Sequence, residues 1–197
     1  MKVAIFGGTF NPIHIGHLIM GQYVLNFADI DKILFIPNGK PPHKNNIDLA
    51  SEFDRYNMVE LAIKNNKNYD ISDYEIKKGE YSYTIDTLLF FKKIYDDVSF
   101  IIGSDNLDEI ILWRRSNQIL SQFPIIVLPR TTDRSEIELK INRLVKNYNS
   151  KIKLIDMPVV NISSTEVRRL IKEKKSIKYL VPENVEEYIK RKGLYLE

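Results

Sequence analysis

The chain has 197 residues, 44% of them hydrophobic and 28% charged, and carries a net charge of +3. This composition is typical of a globular protein, and we expect a single domain over 1–197 with a small helical part from about residue 163. The absence of cysteine excludes disulfides, thiolate metal sites and cysteine nucleophiles. The charge balance disfavours a nucleic-acid-binding protein, and no apolar run approaches the roughly 20 residues of a membrane span. No secretory signal is visible, so we expect a cytoplasmic protein.

Strand-like and helix-like segments alternate along the chain. Short apolar runs predict buried strands at 3–6, 32–36, 69–76, 98–102, 125–128 and 152–157. Helical periodicity and capping residues predict helices at 15–27, from 51, and at 84–95, 106–113, 117–122, 135–148, 163–174 and 182–192. The proline-rich segment 37–50 is expected to be a loop. This alternation predicts an α/β fold, with a doubly wound, mostly parallel sheet and helices on both faces. Ligands of such folds bind beyond the carboxyl ends of the strands.

The loop that joins the first strand to the first helix, from Gly7 to His17, carries the strongest functional signal. Glycines let the backbone approach a ligand closely, and a helix N-terminus binds phosphate through its unpaired N–H groups and its dipole. His14 and His17 lie on one face of the helix start, where each can donate a hydrogen bond to an anion. The glycine spacing matches neither a dinucleotide fingerprint nor a P-loop. The pattern therefore predicts a phosphate site of another kind.

Two other interpretations of these histidines stay open. One histidine could cap the helix while the other packs in the core. Alternatively, both could bind a metal ion with His43 as the third ligand, although two histidines without a nearby acid are a weak metal signature. We favour phosphate binding because two of the three histidines in the chain fall on one glycine-rich turn.

A second candidate anion site lies near the C-terminal end. Ser163, Ser164 and Thr165 open a predicted helix, and Glu166 is spaced from Ser163 as in a capping box. Arg168 lies in the first turns and can direct its planar guanidinium at a phosphate. The alternative is an ordinary capped surface helix with a solvated arginine.

Both segments resemble signatures of the nucleotidyltransferase superfamily. The run from Thr9 to His17 is similar to its Thr-x-x-x-x-His-x-Gly-His signature. Bacterial nicotinate-nucleotide adenylyltransferases are most resembled by the residues at 7–17, which are Gly-Gly-Thr-Phe-Asn-Pro-Ile-His-Ile-Gly-His. The run from Ile162 to Arg168 resembles the second signature, Ile-Ser-Ser-Thr-x-x-Arg. The resemblance covers essentially the whole chain and implies a Rossmann-like nucleotidyltransferase fold. It also implies a function in NAD biosynthesis, in which AMP passes from ATP to nicotinate mononucleotide to give deamido-NAD and pyrophosphate.

The resemblance also implies roles for individual residues. The catalytic residues would be His14, His17 and Arg168, which stabilise charge on the phosphates of ATP. The substrate-binding residues would be Gly8, Thr9, Phe10, His43, Lys44, Thr84, Gly103, Asp105, Trp113, Ile162, Ser163, Ser164 and Thr165.

These substrate-binding residues fall into groups with different expected ligands. The backbone at 8–10 and the hydroxyl-rich segment 162–165 are expected to bind phosphate groups. Residues 43–44 belong to a loop that is expected beside the reacting phosphates. The nicotinate ring is assigned to Thr84 and Trp113, and the nucleotide hydroxyls to Asp105. The turn 128–131 departs from the family pattern, so Arg130 receives no role.

The expected metal is a Mg²⁺ ion that bridges the phosphates of ATP, mostly through water, and no protein metal ligands are predicted. ATP and nicotinate mononucleotide are the expected partners, nucleic acid and membranes are not, and a homo-oligomer is compatible with the sequence. One alternative is the same chemistry with nicotinamide mononucleotide or phosphopantetheine as acceptor. Another is a non-catalytic ATP-binding regulator.

Overall fold

The computed structural model describes residues 1–39, 49–79 and 82–196, in which strands and helices alternate. The strands are β1 Lys2–Gly8, β2 Lys32–Pro37, β3 Tyr69–Ile71, β4 Asp97–Gly103, β5 Ile125–Leu128 and β6 Ile152–Leu154. The helices are α1 Ile15–Phe27, α2 Glu52–Ile63, α3 Tyr74–Lys78, α4 Thr84–Phe91, α5 Ser116–Gln122, α6 Arg134–Tyr148, α7 Ser164–Lys172 and α8 Glu183–Lys192. Two 3₁₀ turns, Ser104–Asn106 and Ile110–Leu112, follow β4. Among the residues described, no helix has the length and apolarity needed to cross a bilayer.

The strands form one six-stranded sheet in the order β3-β2-β1-β4-β5-β6. Strand β4 runs parallel to both β1 and β5, and β6 runs parallel to β5. Ile5 is in register with Phe100, and Phe100 with Ile125. The order reverses direction after β1, as it does in doubly wound α/β folds. The predicted fold class, a doubly wound parallel sheet with helices on both faces, is confirmed.

Burial explains why the strands read as uninterrupted apolar runs. All of Val3–Phe6, Ile33–Ile36 and Ile125–Leu128 is buried. In a parallel sheet covered by helices, both faces of a strand are shielded from water, so alternate residues need not be polar. The same runs therefore identified these strands from the sequence.

Two predicted elements differ in type from the structure, and two others are shorter than predicted, because α4 ends at Phe91 and β6 at Leu154. The strand expected at 69–76 ends at Ile71, and Tyr74–Lys78 forms the short helix α3. Gly79 ends that helix in the left-handed conformation, at a φ of 68°, and its N–H donates to the Ile76 carbonyl. Short apolar runs do not distinguish strand from helix, and this glycine cap was the overlooked signal. The helix expected at 106–113 is instead the pair of 3₁₀ turns.

The chain folds into two compact units, each made of several segments. The first unit comprises Met1–Phe6, Met20–Leu34 and Tyr83–Val160. The second comprises Gly7–Ile19, Phe35–Ser82 and Asn161–Glu197, and includes the predicted C-terminal helices α7 and α8. The expectation of one domain over the whole chain stays a prediction.

Polar contacts join α8 to α2 within the second unit. The Tyr188 hydroxyl accepts a hydrogen bond from Asn57 Nδ2 at 3.1 Å and donates one to Asp54 Oδ1 at 2.8 Å. The Asn184 amide donates to the Leu61 carbonyl at 2.6 Å. The start of α2 is fixed by Ser51, whose Oγ accepts the Asp54 N–H at 3.1 Å, as the sequence predicted.

Candidate active site

The loop between β1 and α1 lies in the second unit and is tightly packed at its start. Phe10 has a left-handed backbone, with a φ of 47°, and its side chain is buried. A Cβ atom on Gly8 would lie 3.0 Å from Cζ of Phe10. Gly8 therefore gives the Phe10 ring room to fold back over the end of β1, and a left-handed non-glycine residue needs such support from its surroundings.

His14 at the end of this loop and His17 in the first turn of α1 stack on each other. Their ring centroids are 3.7 Å apart with an interplanar angle of 25°, and the His14 side chain is buried. The His14 N–H donates to Nδ1 of His17 at 3.2 Å. A ring nitrogen that accepts a hydrogen bond carries no proton, so neutral His17 carries its proton on Nε2. This tautomer makes Nε2 the donor atom of His17.

Helix α7 begins with the hydroxyl residues that the sequence singled out. The Ser163 Oγ accepts the Glu166 N–H at 3.1 Å and so forms the predicted N-cap. The Glu166 carboxylate accepts hydrogen bonds from Arg169 at 2.8 and 2.6 Å. Ile162 is half-buried just before the cap, and Thr165 is exposed in the first turn. The N-terminus of α7 is thus presented as a polar surface.

Side chains of α7 hold the β1–α1 loop directly, within the second unit. The Ser164 hydroxyl donates to the Pro12 carbonyl at 2.8 Å, and Arg168 Nη1 donates to the Asn11 carbonyl at 2.8 Å. The Nε of Arg168 is buried and has no hydrogen-bond partner in the described part of the chain. The structure therefore brings together the two segments that the sequence identified separately.

Asn11 is the centre of a buried network under this loop. Its Oδ1 accepts the Ala50 N–H at 3.0 Å and the Tyr195 hydroxyl at 2.8 Å. Burial raises the pKa of the Tyr195 hydroxyl, so this group stays protonated and donates at neutral pH. The sequence analysis assigned no role to Asn11 or Tyr195, because no local pattern connects position 195 to position 11.

We expect Tyr195→Phe to lower the free energy of unfolding by about 1 kcal/mol, the typical net contribution of one hydrogen bond. The loss should not be larger, because Asn11 Oδ1 keeps its bond from Ala50. Urea denaturation at neutral pH measures the change. Tyr179→Phe is the matched control, because Tyr179 is exposed and shares the positive φ of Tyr195. Equal stabilities of the two variants would contradict a role for the Tyr195 hydroxyl.

Four other predicted substrate-binding residues, Thr84, Gly103, Asp105 and Trp113, lie in the first unit. Thr84 is the first residue of α4, and Gly103 is the last of β4. A Cβ on Gly103 would lie 2.2 Å from Oδ1 of Asp105, so a larger residue would displace the exposed Asp105 carboxylate. Trp113 is half-buried, with its ring edge-to-face against Phe100 at a centroid distance of 6.0 Å.

Two arginines that the sequence reading passed over lie close to the start of α4. The Arg114 guanidinium stacks 4.4 Å from the Tyr83 ring centroid. Arg115 is 4.0 Å from the Asp86 carboxylate. Asp86 belongs to the first turn of α4 and offsets the charge of Arg115, so Arg114 and the helix dipole are what favour an anion near this turn.

Two predicted substrate-binding residues, His43 and Lys44, lie outside the described residues. The alternative metal site with His43 as third ligand therefore stays untested. Within 1–39, 49–79 and 82–196, no group of three or more histidine, aspartate or glutamate side chains is placed to hold a metal ion.

Comparison with known proteins identifies the family. The profile of the cytidylyltransferase-like family matches residues 5–170. A protein of Caldicellulosiruptor saccharolyticus described as a nicotinate-nucleotide adenylyltransferase is 59% identical over 197 residues, covering 100% of both chains. The chain belongs to the nicotinate-nucleotide adenylyltransferase family. A protein of Clostridium tetani with the same description is 40% identical over 98% of each chain.

Solved structures agree with the fold of this adenylyltransferase. The nicotinic acid mononucleotide adenylyltransferase of Plasmodium falciparum, complexed with NaAD, has a TM-score of 0.78 at 23% identity. That match covers 98% of this chain and 97% of the other. A complex of the Plasmodium enzyme with APC has a TM-score of 0.76 at 22% identity. At this level of identity the likeness establishes the shared fold.

Sequence reading of this adenylyltransferase also missed Arg55, which lies on the buried side of α2 with Met58 and Val59. Its side chain is only 1% exposed. A signal was present, because Arg55 falls at helical spacing within an otherwise apolar stripe. Charged residues are rarely fully buried without a reason, so an arginine in such a stripe indicates polar partners inside the protein.

Proposed function

We propose that this adenylyltransferase transfers the AMP moiety of ATP to the 5′-phosphate of nicotinate mononucleotide, with deamido-NAD and pyrophosphate as products. The observation that carries the proposal is the direct contact between the two motifs. Arg168 and Ser164 of α7 each bind a carbonyl of the loop that holds His14 and His17. Helix N-termini, a cationic fork and histidine N–H groups are all suited to polyphosphate.

The reaction needs positioning more than acid–base chemistry. An oxygen of the mononucleotide phosphate forms a bond to the α-phosphorus of ATP, and the bond from that phosphorus to the bridging oxygen of pyrophosphate breaks. The electron pair of the broken bond leaves with pyrophosphate. The attacking phosphate is already ionised, so no general base is required. The residues must bring two anions together and stabilise negative charge on the leaving group.

Residues of the second unit are proposed to act on the phosphates. His17 donates from Nε2, and His14 supports it through the stacked ring and the N–H bond. Arg168 and the hydroxyl-rich segment 162–165 hold the β- and γ-phosphates. The backbone at 8–10 contacts a phosphate, and His43 and Lys44 are assigned to the same part of the substrate.

The remaining roles are proposed for the first unit. Thr84 and Trp113 bind the nicotinate ring, where the dipole at the start of α4 and the neighbouring Arg114 favour a carboxylate. Gly103 keeps space for the Asp105 carboxylate, which accepts hydrogen bonds from nucleotide hydroxyls. The charge of Arg114 and the dipole at the start of α4 support nicotinate over nicotinamide as the acceptor.

Mg²⁺ is proposed to arrive bound to ATP as part of the substrate. This ion keeps most of its water and is commonly bound through substrate phosphates. It would neutralise part of the negative charge of the triphosphate. The side chains of the phosphate-binding residues would offset the remaining negative charge. We also place the reaction in the cytoplasm, where ATP is available.

Acceptor preference tests the proposal. Pyrophosphate release is measured with ATP, Mg²⁺ and one of three acceptors: nicotinate mononucleotide, nicotinamide mononucleotide or phosphopantetheine. We expect the highest kcat/KM with nicotinate mononucleotide, and deamido-NAD detected by mass. Turnover with another acceptor alone would overturn the nicotinate assignment and keep the transfer chemistry. ATP binding without turnover on any acceptor would favour a non-catalytic regulator.

A further inference from the structure

The buried Arg55 side chain spans three separate segments of the second unit. Its Nη1 donates to the Thr9 carbonyl at 2.8 Å and to Asn38 Oδ1 at 3.1 Å. Its Nη2 donates to the Gly39 carbonyl at 2.9 Å, and its Nε to the Ala50 carbonyl at 3.2 Å. One guanidinium therefore fixes the start of the β1–α1 loop relative to the chain on either side of residues 40–48.

All of these partners are neutral oxygens. In the described part of the chain Arg55 forms no ion pair, and burial lowers the pKa of its guanidinium. A buried charge without a counter-ion is costly, and an apolar side chain of similar size often serves stability as well or better. The four hydrogen bonds of this guanidinium hold their acceptors in fixed relative positions as well as satisfying them, so Arg55 sets the geometry of the segments that it joins.

The contact with Thr9 has an electrostatic consequence for the loop. A carbonyl oxygen repels phosphate, and the Thr9 carbonyl is held on the buried guanidinium instead. The Thr9 carbonyl and the Phe10 N–H belong to one peptide group. A cation bound to this carbonyl polarises the group and makes the N–H a stronger donor, because hydrogen-bonded groups strengthen one another in a low-dielectric interior. The next residue, Phe10, has a φ of 47°, a conformation that needs fixed neighbours to persist.

We propose that Arg55 is a positioning residue for ATP, which holds the Thr9 carbonyl away from the triphosphate and fixes the loop backbone at 8–10. The inference rests on the proposed function, since it assigns the triphosphate to this loop. Arg55 acts through the backbone that it holds. Displacement of a binding group by about 1 Å can reduce rates on the order of 100-fold, so a positioning residue of this kind has measurable effects.

Arg55→Lys is the informative variant because it keeps the charge and loses the planar fork that reaches several oxygens at once. We expect the dissociation constant for ATP to rise, and kcat to fall, by about 10- to 100-fold while the protein stays folded. Met58→Ala is the matched control: Met58 is buried on the same helix face and belongs to no proposed binding group. Its folded fraction should bind ATP as the wild type does.

A second variant decides the outcome if Arg55→Lys does not fold. Asn38→Ala leaves the arginine in place but removes one partner of Arg55 Nη1, together with the Asn38 Nδ2 donor to Thr9 Oγ1 at 3.4 Å. We expect it to weaken ATP binding less than Arg55→Lys and more than Met58→Ala. Wild-type ATP affinity in a folded Arg55→Lys protein would overturn the inference, as would wild-type affinity in Asn38→Ala if the lysine variant does not fold.

The binding assay also separates this inference from the proposed function. ATP binding is measured by calorimetry without an acceptor. A wild-type protein that binds ATP and transfers AMP to none of the acceptors would refute the proposed function, while the variant affinities would still decide the role of Arg55. A crystal structure of Arg55→Lys should show a reoriented Thr9 carbonyl, and an unchanged loop would count against the inference.

Discussion

His17→Ala should lower kcat for AMP transfer by about 10²- to 10³-fold, the typical cost of removing one preorganised donor to developing negative charge. The reason is the tautomer that the loop imposes: Nδ1 accepts the His14 N–H, so Nε2 carries the proton and donates. Folding should be little affected, because His17 is only half-buried. Steady-state kinetics with ATP and nicotinate mononucleotide measure kcat, and thermal unfolding measures the stability of the variant.

Two further variants at His17 separate its two nitrogens. In His17→Asn the amide oxygen can take the place of Nδ1 and accept the His14 N–H, but no donor reaches the position of Nε2. In His17→Gln the amide nitrogen approximates Nε2, and the acceptor at Nδ1 is lost. We expect the asparagine variant to be as slow as the alanine variant and the glutamine variant to recover part of kcat. The opposite order would mean that His17 serves only to shape the loop.

Arg168→Lys should raise KM for ATP and lower kcat, with kcat/KM reduced by about 10²- to 10³-fold. In the structure Nη1 of Arg168 donates to the Asn11 carbonyl, and the buried Nε has no partner among the described residues. One part of the guanidinium therefore binds the loop. We expect the remaining donors to bind the β- and γ-phosphates. Lysine supplies the same charge from a single point and cannot hold loop and phosphate together.

The neighbouring residue gives a matched control for this substitution. Arg169 lies on the exposed side of α7, where it pairs with Glu166 and Glu173 at 2.6 Å. Exposed ion pairs of this kind contribute little, so Arg169→Lys should leave kinetics and stability near wild type. If both lysine variants were equally impaired, the helix as a whole would be responsible and not the guanidinium of Arg168.

Features fixed by local chemistry could be predicted from the sequence. The bounds of α1, 15–27, match the structure, and the Ser163 cap forms as expected. Caps, glycine turns and apolar periodicity depend on residues a few positions apart, and the sequence displays them directly. The two segments proposed to bind anions were recognised for the same reason, since each is a short run of suitable residues beside a helix N-terminus.

The contacts that hold the site together could not be predicted in this way. Tyr195 reaches Asn11 across 184 positions, and Arg168 reaches the same residue across 157. The apolar stripe of α2 indicates that Arg55 is buried, but nothing near it in the sequence identifies its partners Thr9 and Asn38. Each of these residues is defined by a partner distant in sequence, and no local pattern identifies that partner.

The bond between Tyr195 and Asn11 also sets an order of events during synthesis. At about 5–20 residues per second, a ribosome adds Tyr195 roughly 10–40 s after Asn11. During that interval the loop lacks the tyrosine hydroxyl, and for most of it also the α7 residues that hold its carbonyls. The nascent chain therefore carries this loop, to which we assign phosphate binding, long before the hydrogen bonds from Ser164, Arg168 and Tyr195 can form.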